Sequence, residues 1–145
     1  MKKLIWLLAV VLVSNTMFSQ DWHDNFKEAQ SKAQESHKPI ILVFSGSDWC
    51  APCIKLDKQV FQSDAFKNYA NENVVLMRAD FPRKKQNALS DEQQKQNRGL
   101  AEKYNPNGFF PYVLVLNEKG DILGKMGYEK VKPETYINKL QSFVK

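Results

Sequence analysis

The sequence predicts an α/β domain, a central mixed β-sheet flanked by helices. Three observations predict it. Ile40-Ile41-Leu42-Val43-Phe44 and Val74-Val75-Leu76-Met77 are apolar at every position, as strands buried on both faces of a parallel sheet are. Between and around these runs, apolar residues recur at helical spacing. Near the C-terminus, Asn117-Glu118-Lys119-Gly120 separates two strand-like runs in the manner of a hairpin turn. Helices must cover both faces of such a sheet, because its strands present apolar side chains on each. With 145 residues, the chain is sized for one domain with a real core.

Taken in order, Trp22, Phe26, Ala29 and Ala33 lie on one stripe and predict an amphipathic helix over roughly 22–37, ended by Lys38-Pro39. Strand Ile40–Phe44 follows, and the short loop Ser45-Gly46-Ser47-Asp48 leads from it into Trp49-Cys50-Ala51-Pro52-Cys53. Cys53, Leu56 and Val60 continue one face of a helix starting at Cys50. Ser63 is an N-cap candidate for a helix to about Asn71 that buries Phe66, Tyr69 and Ala70. The strand from Val74 ends near Asp80, and Phe81 to Leu89 reads as a basic, irregular loop. Ser90-Asp91-Glu92-Gln93 has the capping-box pattern and opens a helix to about Tyr104, with Leu100 and Tyr104 inward. Asn105-Pro106-Asn107-Gly108 breaks the chain. Tyr112–Leu116 and Asp121–Met126 form the hairpin. Pro133 starts a closing helix carrying Tyr136, Ile137, Leu140, Phe143 and Val144.

The first nineteen residues read differently. Met1-Lys2-Lys3 is basic, Leu4 to Val13 is an unbroken apolar run, and Ser14 to Ser19 is more polar. This is the layout of a secretory signal peptide, with cleavage near Ser19/Gln20 and a mature domain over 20–145. Met17 and Ser19 are not the ideal small pair, and an uncleaved anchor is the alternative. The expected location is the bacterial periplasm. Without Lys2 and Lys3 the formal charge falls from +5 to +3, too modest an excess to argue for nucleic acid. Arg83-Lys84-Lys85 has no interleaved aromatics and reads as a solvated loop.

Cys50 and Cys53 are the chain's only cysteines. A sulfur at the N-terminal end of a helix faces unpaired N–H groups and the positive pole of the macrodipole, which favour thiolate over thiol. The second cysteine lies one turn on, close enough to close a disulfide. The pair therefore predicts an exposed thiolate with a resolving thiol behind it, a device for disulfide exchange. A bridge this short closes a tiny loop and is a poor structural staple.

These residues resemble the active site of the thioredoxin family, whose motif Trp49-Cys50-Ala51-Pro52-Cys53 matches after a buried strand. Phe110-Pro111-Tyr112, just before the hairpin, resembles the second family mark. The resemblance implies a thioredoxin-like fold over about 22–145, with an extra helical insert before a cis-proline at Pro111. It implies that Pro111 faces the cysteines, that the backbone of Phe110 pairs with the substrate chain, and that Gly127 lines the same groove. Trp49 and Phe110 are expected to form an apolar rim, with core packing as the plainer reading of Trp49. The signal-like start and the Ser45-Gly46-Ser47-Asp48-Trp49 approach resemble exported relatives of the carboxy-terminal domain of the membrane disulfide reductase DsbD.

Three positions depart from the family pattern. Phe44 and Leu76 stand where thioredoxins carry a buried acid and a lysine, so both members of that charged pair are expected to be apolar together. Asp48 or a water is left as the candidate proton acceptor for Cys53. The 31 positions from Asp80 to Pro111 are about twice the family interval; the inserted helix covers the sheet or docks a partner. Tyr112 replaces the usual threonine.

The expected function is thiol:disulfide exchange with disulfide-bonded or thiol-containing protein substrates through Cys50 and Cys53, with no cofactor. Ala51-Pro52 supplies no histidine to hold the Cys50 thiolate, which favours a reductant, fed by a membrane electron donor if the chain is exported. The alternatives are a copper or zinc half-site, for which His23 and His37 are the only histidines, and a non-catalytic interaction module.

Overall fold

The computed structural model describes residues 20–145; the proposed signal segment 1–19 lies outside the described residues. Five strands make one sheet in the order β1-β3-β2-β4-β5. They are β1 (Trp22–His23), β2 (Ile40–Ser45), β3 (Val75–Asp80), β4 (Tyr112–Leu116) and β5 (Ile122–Met126). The central strand β2 runs parallel to β3 and antiparallel to β4, and β5 pairs antiparallel with β4. The sheet is therefore mixed. All six β2 residues are buried, as its uninterrupted apolar run predicts.

Alternation along β2 divides the core. Ile41 and Val43 face one layer, where α2 (Ala51–Leu56), α3 (Asp64–Asn73) and α5 (Pro133–Ser142) contribute Leu56, Phe66, Tyr136 and Leu140. Ile40, Leu42 and Phe44 face the other, covered by Ala29 and Ala33 of α1 (Phe26–Ser36) and Leu100 and Tyr104 of α4 (Asp91–Tyr104). The inserted helix α4 thus covers the sheet on its inner side. Leu76 belongs to the first layer and Phe44 to the second. Both positions are buried and apolar, as expected, but they lie on opposite faces of the sheet and do not touch as a pair.

Four local expectations are corrected. The first helix begins at Phe26, not Trp22: Asn25 accepts the Glu28 amide at 3.1 Å as N-cap, and Trp22 pairs with Leu76 as an edge strand. His23 accordingly lies in β1 rather than on the helix. The helix after Cys50 does not continue as α; a π turn occupies Asp57–Phe61, still burying Val60 and Phe61. Ser90 caps α4 by accepting the Gln93 amide, but Gln93 does not reciprocate. Its side-chain amide donates instead to the Asp24 carbonyl, tying α4 to the segment before α1. The last helix ends at Ser142, leaving Phe143 half-buried and Val144 exposed.

Asn97 on α4 is 1 % exposed and donates to the carbonyl of Asp80, where β3 ends beside the cysteine loop. A part-buried carbonyl stripped of its donor keeps part of its desolvation cost. Asn97→Ala is expected to lower unfolding free energy by about 1–3 kcal/mol in urea titration; an unchanged midpoint would show that this hydrogen bond does not hold α4 to the sheet.

Candidate active site

Strand β2 ends at Ser45, and the chain turns immediately into α2. Gly46 makes the turn: its carbonyl accepts the amides of Trp49 at 3.2 Å and Cys50 at 2.9 Å. A side chain at Gly46 would collide with the Trp49 ring, the nearest indole atom being 2.3 Å from an ideal Cβ. Glycine here lets the indole lie flat over its own loop. This residue was visible in the sequence as the sole glycine of the approach, but its partner was not.

Cys50 is the N-cap of α2, with extended backbone at φ −91° and ψ 100°. Its Sγ accepts the Cys53 N–H at 3.3 Å, satisfying one of the free donors at the helix start. Ala51 and Pro52 form the exposed first turn, where a proline's missing N–H costs nothing. Cys50 and Cys53 are bonded as a disulfide, with Cα atoms 5.2 Å apart. Each retains only 4 % of its surface exposed. The expected exposed sulfur is therefore corrected: the pair sits recessed at the top of the core.

Pro111 is buried and shares a groove with Pro52 of this turn, and the Phe110–Pro111 peptide is cis. Pro52, Phe110, Pro111, Tyr112, Met126 and Gly127 line an open, largely apolar groove of about 490 Å³. Phe109, 54 % exposed, stands at its edge with its ring 5.6 Å from that of Tyr112. The Tyr136 hydroxyl donates to the Gly127 carbonyl at 2.9 Å, and burial pushes the Tyr136 phenol far above its usual range, keeping it a donor. The structure thus brings Phe110, Pro111 and Gly127 together on one groove, and the Trp49 and Phe110 rings lie 5.5 Å apart.

Trp49 turns its polar edge the other way. Its indole N–H donates to the Phe81 carbonyl at 2.7 Å, and the Arg83 guanidinium lies 3.7 Å over its ring. Asp48, the sequence candidate for proton acceptor, is committed to the same loop. Its carboxylate accepts the amides of Arg83 at 2.9 Å and Lys84 at 3.0 Å, and the Asn87 side chain at 3.0 Å. The Arg83 amide, then the Asn87 side chain, hold its carboxyl below the ordinary 3.8. A carboxylate so stabilised is a poor base at neutral pH, so Asp48 is a loop cap instead.

Phe44, in the family's acid position, is fully buried against Phe81 and Tyr112. Among the described residues, no three His, Cys, Asp or Glu side chains converge as a metal site. His37 ends α1 with its ring exposed, 3.6 Å from the Glu118 carboxylate.

A thioredoxin-like family profile matches residues 21–117. The disulfide bond reductase DsbH of Chlamydia pneumoniae is 36 % identical over 122 residues, covering 84 % of this chain and 72 % of that protein. A solved structure of a DsbH oxidoreductase superposes with a TM-score of 0.80 at 34 % identity, covering 87 % of this chain and 85 % of that one. The reduced C-terminal domain of Neisseria meningitidis DsbD shares the fold, at TM-score 0.59 and 20 % identity over 81 % of this chain and 92 % of that one.

Because the Asp48 pKa is depressed, its capping contribution is present above the ordinary value and lost as pH falls below 3.8. In hydrogen exchange, Asp48→Ala is expected to lower protection of the Arg83 and Lys84 amides several-fold at neutral pH while β2 stays protected. The wild type should show the same selective loss on acidification below that value. Unchanged protection in the variant would place the loop's order elsewhere.

Proposed function

Since the chain belongs to the thioredoxin-like family, we propose that it is a thiol:disulfide oxidoreductase that works as a reductant of disulfide-bonded proteins through Cys50 and Cys53. The observation that carries this reading is Cys50 at the helix cap, its sulfur accepting the Cys53 amide. A sulfur so placed is favoured as thiolate by the N–H and by the helix pole once the pair is reduced. The resemblance to a disulfide bond reductase supports the same direction.

In the reductive cycle, the Cys50 thiolate attacks one sulfur of a substrate disulfide. That S–S bond breaks, and the departing substrate thiolate takes a proton from solvent. A mixed disulfide now joins Cys50 to the substrate. Cys53 loses its proton to solvent and attacks the Cys50 sulfur. The Cys50–substrate bond breaks as the Cys50–Cys53 bond forms, and the second substrate thiolate leaves and is protonated from solvent. Two electrons have passed to the substrate, and the bonded pair in the structure is the oxidised end of the cycle. The apolar groove beside Pro111 suits an extended peptide segment, with Phe110, Pro111 and Gly127 as its proposed contacts and Trp49 at its rim. Because both sulfurs are recessed, the substrate strand must lie close against this groove for attack.

Return to the dithiol needs a donor. The signal-like residues 1–19 support export to the periplasm, where a membrane electron donor would reduce the pair. No helix among the described residues is long and apolar enough to cross a membrane.

With insulin as a disulfide-bonded test substrate, Cys50→Ser is expected to drop reduction to the uncatalysed rate. Cys53→Ser should still make the first attack and accumulate a mixed disulfide at Cys50, visible by mass spectrometry without reductant. Full activity in Cys50→Ser would refute the assignment. A stoichiometric copper or zinc ion in the purified dithiol protein would favour the metal reading instead.

A further inference from the structure

The loop after β3 and residues Gln94, Asn97 and Arg98 of α4 enclose a second cleft, of about 360 Å³, which shares no lining residue with the Pro111 groove. Arg83, Lys84 and Lys85 from the loop and Arg98 from α4 line it, and all four are exposed. Among the described residues, none of the four is in an ion pair. The acids nearby are otherwise engaged. Asp80 accepts the Ser47 amide and hydroxyl, and Asp48 accepts the loop amides. Phe81, Pro82 and Leu89 add apolar wall between the charges.

Four like charges around one cleft repel one another, and an unheld loop would spread them into solvent. Here the loop is pinned by Asp48, by the Trp49 indole on the Phe81 carbonyl, and by Asn97 on the Asp80 carbonyl. The fold therefore keeps a cleft of net positive charge, its four cations outnumbering the carboxylates of Asp80 and Asp48, beside the loop that receives the Trp49 indole. Trp49 touches a lining residue of each depression: the Phe110 ring of the groove lies 5.5 Å from its own, and Arg83 of the cleft stacks over it.

We propose that this cleft is a docking site for an acidic segment of the protein that exchanges disulfides with Cys50. The proposal rests on the thiol:disulfide exchange reading and adds a partner chemistry to it: carboxylates, with aliphatic or aromatic neighbours for the apolar wall. A polypeptide lying in the groove and running past Trp49 would meet the cleft next. Opposite charge there would speed encounter and hold the register of attack, and salt would weaken both.

The test uses two synthetic disulfide-bonded peptides that differ only in a tail, joined by a Gly-Ser spacer: four glutamates in one, four glutamines in the other. The wild type is expected to reduce the glutamate peptide with roughly tenfold higher kcat/KM at low salt, equivalent to about 1.4 kcal/mol. That advantage should vanish in 0.5 M sodium chloride and in Lys84→Glu/Lys85→Glu/Arg98→Glu. Turnover of the glutamine peptide and the reduction potential should stay unchanged in that variant. If charge reversal prevents folding, Lys84→Gln/Lys85→Gln should still cut the advantage several-fold. Equal kcat/KM for the two tails, or an advantage that survives the substitutions, would overturn the proposal.

A cysteine-free, dye-labelled glutamate peptide read by anisotropy keeps the two readings apart. Charge-dependent binding to the cleft without turnover of either disulfide peptide would sink the exchange reading and leave the cleft. Turnover without such binding would sink the cleft alone. Displacement of the labelled peptide by inorganic phosphate far below the salt needed would mark a small-anion site and also overturn the peptide proposal.

Discussion

The hydrogen bond from the Cys53 amide to the Cys50 sulfur is the interaction that gives the rest of the structure its purpose. It needs a helix that begins at one residue and no other, because a shift of one position would aim the free amides elsewhere. That start is set by β2, buried on both faces and paired on both edges, and by the Gly46 carbonyl that collects the amides of Trp49 and Cys50. A central strand is the least deformable place in such a sheet. Placing the cysteine turn at its end lets a small, recessed sulfur be held by a large core.

The turn is supported from two directions that differ in chemistry. On one side the groove is built of apolar side chains and a cis peptide, with the Gly127 carbonyl tied down by a buried tyrosine. On the other, Trp49 and Asp48 spend their polar groups on the loop after β3, which is basic and faces water. Adjacent residues of one short loop thus organise an apolar surface and a charged one. Neither Asp48 nor Phe44 supplies a base: Asp48 is held ionised by its donors, and Phe44 is apolar and packed among the α1 and α4 side chains. The proton leaving Cys53 during resolution therefore has no carboxylate acceptor from either of these residues.

Much of this was legible in the sequence, for reasons tied to particular residues. The all-apolar run from Ile40 has no other stable home than a central strand, and Ser63, Ser90 and Pro133 mark helix starts by local chemistry alone. Trp22 shows the limit of periodicity. It falls on the helical stripe of Phe26 and Ala29, yet Asn25 caps the helix later and β3 captures Trp22 as an edge strand. The π turn at Asp57–Phe61 carries no local signal that distinguishes it from a continuing helix. In the site, the cysteine pair and Pro111 could be read from spacing and resemblance. The role of Asp48 could not, since its partners lie 35 to 39 residues away and leave no pattern in the chain. The basic loop looked like solvated charge for the same reason: composition counts lysines but does not say what they enclose.

The central claim is that Cys50 and Cys53 form a reducing two-electron couple, and the equilibrium reduction potential of the pair against a dithiothreitol or glutathione series tests it most directly. The absence of a histidine between the cysteines predicts a value near thioredoxin's, about −270 mV. A value near that of a strong oxidant such as DsbA, about −120 mV, would contradict the reductant assignment. The absence of any two-electron transition would contradict the redox reading altogether.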